Sequence, residues 1–161
     1  AGVMMMADRR GLLTGKDWVT ATADDGEPRH PLAVRLRAAG ASAVVALGPL
    51  GLGAAASLIA ARAGIAASLT RSSLPRLADA DASAALMADE VMPHAGFFAD
   101  RLVGADPTEA ALLLADELAG GFLAAMPPDD VEDRLADIPE AVPIGMLVAR
   151  VPGIEGAVLM R

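Results

Sequence analysis

Apolar residues fall along this chain in short unbroken runs bounded by glycine or proline, more than in alternation with polar ones. Val3 to Met6 is the first such run and predicts a short buried strand, followed by a polar, glycine-containing stretch in which Asp24-Asp25-Gly26-Glu27-Pro28 has the composition of an exposed turn. Pro31 opens a predicted helix through Ala39, with Leu32, Leu36 and Ala39 on one stripe, Arg35 and Arg37 off it, and Gly40 at its end. Ser42 to Leu47 has no polar alternation and predicts a strand covered on both faces. Leu52 to Ala63 then predicts a helix closed by Gly64, and Ile65 to Thr70 the next strand. Strand, helix, strand, helix, strand is the order of a βαβ unit, so residues 1–70 are expected to form three parallel strands with right-handed crossovers.

Beyond residue 70 the pattern turns helical. Ser72 or Ser73 caps a predicted helix through Met92, which Pro93 interrupts. Asp106-Pro107-Thr108-Glu109 is a helix start, with Asp at the cap, Pro at the first position and Glu three residues after the cap. Leu112, Ala115, Ala119, Leu123 and Met126 extend it as a stripe up to Pro127-Pro128. An acidic segment from Asp129 to Glu140 leads to two apolar runs, Ile144 to Val151 and Ala157 to Met160, which predict a β-hairpin or two late strands. The expected whole is one α/β domain over residues 1–161: a small parallel sheet with flanking helices, an Ala-rich helical part over 71–128, and an acidic loop with strands over 129–161.

Composition sharpens this picture by exclusion. With 54% hydrophobic and 21% charged residues, the chain is too apolar for disorder and should bury a core. Only 2% of it is aromatic, so that core must be built from Ala, Leu, Val and Met. A net charge of −8 repels phosphate backbones and anionic lipid, which argues against nucleic acid and membrane surfaces as partners. The absence of cysteine removes disulfides, thiolate nucleophiles and cysteine-based metal sites. Ala38 to Ala61 is uncharged and long enough to span a bilayer, but Gly48-Pro49-Leu50-Gly51-Leu52-Gly53 would break a spanning helix, so a strand, a glycine loop and a helix are expected. The N-terminal charge follows its apolar run, the reverse of a secretory signal, which makes the cytoplasm the default location.

The chemistry of most interest lies where the Ser42–Leu47 strand meets its helix. N–H groups at a helix start attract anions, and glycines let a ligand approach the backbone, which nominates Gly48, Gly51, Leu52 and Gly53 as a ligand-binding lip. Residues 44–55 resemble the Gly-x-Gly-Pro-x-Gly-Leu fingerprint of Rossmann oxidoreductases, with Ala46 where the first glycine belongs. In that family the end of the next strand selects the cofactor, and here it offers Thr70-Arg71-Ser72-Ser73. The resemblance therefore implies NADP, with Arg71 at its 2′-phosphate, and Ser72 beside it joins the candidate ligand-binding residues.

A second resemblance covers residues 12–70. Leu12-Leu13-Thr14-Gly15, then Val34 to Val45 with its Ala39-Gly40 helix end, then the helix and strand from Ala54 to Leu69, is similar to the N-terminal sensor domain of PucR-type purine-catabolism regulators. Of the positions implied to be functional there, Thr14 and Gly15 carry over.

Other fragments are incomplete. Gly11 to Asp17 is one residue short of a P-loop and has Asp where Ser or Thr must hold magnesium. Asp79, Asp81, Ser83 and Glu90 have EF-hand spacing, but Ala84 replaces the turn glycine. His30 and His94 sit in no metal-binding pair, so no metal site is expected. The leading expectation is a non-catalytic ligand-sensing or regulatory domain for a small anionic metabolite. An NADP-dependent oxidoreductase subunit is the first alternative. The second is a homo-oligomeric interaction protein that buries its helices over 74–126 against another copy.

Overall fold

A computed structural model describes residues 31–47, 51–75, 96–114, 121–129 and 131–161, together with the backbone of residues 4–8. Its strands are β1 (Met4–Asp8), β2 (Ala43–Ala46), β3 (Ala66–Leu69), β4 (Leu102–Val103), β5 (Phe122–Met126), β6 (Ala141–Val148) and β7 (Val158–Met160). Its helices are α1 (Pro31–Ala38), α2 (Gly51–Ala63), α3 (Pro107–Leu114) and α4 (Val131–Leu135), with a 3-10 turn at Arg71–Ser73. The strands form one sheet in the order β2-β5-β1-β6-β3-β7-β4.

The α/β class read from the sequence is the class observed, with helices flanking a mixed sheet that contains parallel strands. The pairing within residues 1–70 differs from the three adjacent parallel strands expected. β1, β2 and β3 do run in one direction, but β5 pairs antiparallel with both β1 and β2, and β6 pairs antiparallel with both β1 and β3. The parallel pairs are β3 with β7 and β7 with β4. Local sequence fixes strand direction through the crossover helices, whereas the partner of each edge is chosen by strands that arrive much later in the chain.

The C-terminal runs are two late strands, not a hairpin, because β3 lies between β6 and β7. Residues 122–126 are the clearest correction. They were expected to continue the helix from Pro107, and they form β5, buried at all five positions. A fully apolar pentapeptide satisfies either period, and the deciding signal is Gly121, which turns the chain at φ +74°.

Because side chains alternate across β5, its two faces feed two cores. Leu123 and Ala125 join Leu52, Ala55, Ile59, Leu113 and Ile144 under α2 and α3. Phe122, Ala124 and Met126 join Leu32, Leu36, Val131 and Leu135 under α1 and α4. The sheet is thus sandwiched between helix pairs. On the second side, Arg35 Nη1 donates to Glu140 Oε1 at 3.0 Å, tying α1 to the loop before β6, and Arg134 Nη1 donates to the Ala39 carbonyl at 3.3 Å, tying α4 to the end of α1.

Helix ends follow the local signals. Gly40 and Gly64 end α1 and α2 at φ +97° and +68°. Asp106 Oδ1 accepts the Glu109 N–H at 2.8 Å and caps α3. No helix among the described residues is long and apolar enough to cross a membrane; Ala38 to Ala61 instead supplies β2 and α2.

Candidate functional site

Strand direction determines the sheet edge at which β1, β2 and β3 end. Since β1, β2 and β3 point the same way, the segments that follow them leave from one edge of the sheet. Thr14 and Gly15 follow β1, Gly48 and the glycine turn follow β2, and Arg71 and Ser72 follow β3. β7 and β4 end at the same edge, through their parallel pairing with β3 and with each other.

Within that edge the residues take different roles. Gly51, Leu52 and Gly53 are buried in the first turn of α2. Gly51 sits at φ +70°, its N–H donating to the Leu47 carbonyl at 2.8 Å, and a Cβ there would come within 2.8 Å of the Leu113 carbonyl oxygen. A Cβ on Gly53 would meet Leu113 at 3.1 Å and Leu102 at 3.2 Å. The room these glycines leave is therefore occupied by α3. They were singled out as a lip over which a ligand lies, and the structure uses them for close approach of two helices. Gly48, Thr14 and Gly15 lie outside the described residues, as do His30, His94, the P-loop-like segment 11–17 and the EF-hand-like segment 79–90.

Arg71 is engaged by the protein itself. Its Nε donates to Glu109 Oε1 at 2.9 Å and its Nη2 to Glu109 Oε2 at 3.1 Å, a bidentate pair with a carboxylate that is only 9% exposed. The same guanidinium reaches the carbonyls of Gly104 and Met160. The hydrogen bond that Arg71 donates to Glu109 raises the Arg71 pKa, with burial opposing it and the charges of Glu109 and Asp106 adding to it. One side chain thus joins the ends of β3 and β7 to the loop between β4 and α3. Ser72, next to it, is exposed in the 3-10 turn.

The glycine turn and Arg71 share an edge without being neighbours. β2 and β3 are four strand positions apart, about 19 Å at the usual spacing, with β5, β1 and β6 between them. A Rossmann cofactor crosses two adjacent strands, and these two are not adjacent. Sequence reasoning missed Glu109 as the partner of Arg71. It read Glu109 only as a helix-start residue, and no spacing rule links positions 38 apart. Among the described residues no three of His, Asp or Glu converge as metal ligands.

No protein-family model and no curated protein matches the chain. Solved structures do. A crystal structure of the hydrogenase maturation protein HypE is similar over 99% of this chain and 49% of its own, with a TM-score of 0.54 at 17% identity. A structure of AaThiL complexed with AMPPCP and TMP aligns over 99% of this chain and 48% of its own, with a TM-score of 0.45 at 16% identity. The chain thus spans about half the length of these structural neighbours. What it shares with HypE at that identity is the fold.

Proposed function

We propose that this chain is a non-catalytic ligand-sensing or regulatory domain that takes a small anionic metabolite at the sheet edge where β1, β2 and β3 end. Strand direction carries this reading: three parallel-running strands deliver the segments after Asp8, Ala46 and Leu69 to one edge. In open α/β sheets ligands sit outside the carboxyl ends of the strands. The exposed Ser72 hydroxyl is one polar group offered there, beside Thr70 and Ser73, and in the sequence Thr14 and Gly15 follow β1 while Gly48 follows β2. Arg71, committed to Glu109, ties the turn after β3 to α3.

The likeness to HypE favours a second reading, in which this chain corresponds to one half of a maturation protein. Coverage of 99% of this chain against 49% of HypE is the supporting observation.

A thermal-shift panel with NAD, NADP, ATP, purines and small carboxylates tests the first reading. A ligand at about 100 times its Kd adds about 2.7 kcal/mol, a rise of several degrees. The expected result is a shift with one anionic class that Ser72→Asp abolishes. A response to NADP alone would favour an oxidoreductase, and a flat panel would end the sensing proposal.

A further inference from the structure

The opposite edge of the sheet carries a feature that the proposed ligand edge does not explain. A cavity of about 520 Å³ opens there, between the start of β3 and the loop joining β6 to β7. That volume lies within the range of small-molecule sites. Half-buried Ile65, Val151 and Ile154 give it an apolar lining. Arg150 and Glu155 bring opposite charges to the same cavity. Both side chains are exposed, and neither is in an ion pair with the other or with any described residue. Gly64 and Gly153 complete the lining at φ +68° and +81°, and nothing lies within 4 Å of where a Cβ would stand on either. Their backbone therefore faces open space.

The loop that bears these groups is anchored. Gly156 is pressed on α2, where a Cβ would come within 2.6 Å of the Ser57 carbonyl oxygen. The Glu155 carbonyl accepts Arg101 Nε at 3.0 Å, and the Arg101 carbonyl accepts the Val158 N–H at 2.8 Å. Ile154 N–H closes a turn onto the Val151 carbonyl at 3.3 Å. A fixed loop presenting one cation, one anion and three aliphatic side chains is complementary to a small zwitterion with an apolar body.

We infer that this cavity binds an apolar α-amino acid, its carboxylate on Arg150, its ammonium on Glu155 and its side chain against Ile65, Val151 and Ile154. L-Leucine is the probe, titrated into glycine-labelled protein while the amide resonances are followed. Saturable shifts are expected at Gly64, Gly153 and Gly156 and not at Gly51 or Gly53 on the other edge. Arg150→Ala and Glu155→Gln, both on exposed positions, should each weaken binding about tenfold or more. The des-amino acid 4-methylpentanoate and the decarboxylated isoamylamine should bind correspondingly worse. No saturable shift up to about 10 mM leucine, equal binding by either analogue, or variants that bind as tightly as the parent would each overturn the assignment.

Discussion

Glycine does two different jobs in this chain, and the difference is measurable. Gly51 and Gly64 both hold a left-handed φ, +70° and +68°, but only Gly51 faces a neighbour, the Leu113 carbonyl oxygen. Gly64→Ala should therefore cost only the left-handed strain, about 1 kcal/mol. Gly51→Ala adds overpacking between α2 and α3 and should cost about 2–4 kcal/mol. Paired denaturant melts check this, and equal midpoints for the two variants would remove the packing role of Gly51. Arg71 is the residue-scale counterpart on the polar side. Its raised pKa means that its share of the Glu109 pair is fully present below the ordinary unfolded-state arginine value and is lost only as pH rises through the higher folded value. Arg71 thus adds no pH dependence across the neutral range. Arg71→Ala should lower Tm by removing the bidentate partner of the buried Glu109, and Arg71→Ala combined with Glu109→Leu should recover part of the loss.

At the scale of elements, α3 depends on its first turn. It has eight residues, too few to stand alone, and six of them from Glu109 to Leu114 are buried. Asp106→Ala removes the side-chain cap on the Glu109 N–H and should cost about 1 kcal/mol, with Asp106→Asn retaining most of it. Chemical denaturation of the three proteins gives the comparison, and an Ala variant as stable as Asn would show the cap to be idle. The start of α3 was legible because capping is local chemistry. Its end was not, because Leu112, Leu123 and Met126 fit a helical stripe equally well until Gly121 redirects the chain. β6 shows the same limit. Pairing skips Ile144 between Met5–Gly145 and Met6–Pro143, so the strand bulges where proline offers no N–H. Gly145 packs so closely on the Ser68 carbonyl that no side chain fits there.

For the whole molecule, β7 joins the edge strand β4 to the rest of the sheet. β7 lies between β3 and β4, and Val158 and Met160 are buried. Deleting residues 157–161 removes both side chains from the core and leaves β4 without its partner, a loss of more than about 3 kcal/mol from apolar burial alone. The truncated chain should show a lower denaturant midpoint and a shallower, less cooperative transition. An unchanged midpoint would mean that β7 is dispensable.

What the sequence determined by itself is whatever a few neighbouring residues decide. The α/β class, the direction of β1, β2 and β3, the caps at Asp106, Gly40 and Gly64, and the strand-turn-helix at residues 43–63 follow from turn chemistry and apolar runs. Tertiary structure decided the rest, because it depends on residues far apart in the chain. The insertion of β5 and β6 between the early strands, the α3 backbone over Gly51, and the Glu109 partner of Arg71 are each a choice among competing surfaces that share no local signature. The candidate site divides in the same way: its residues were legible as types, and their distribution between a packing contact, a clamp and an open edge was set by which helix arrived to cover them.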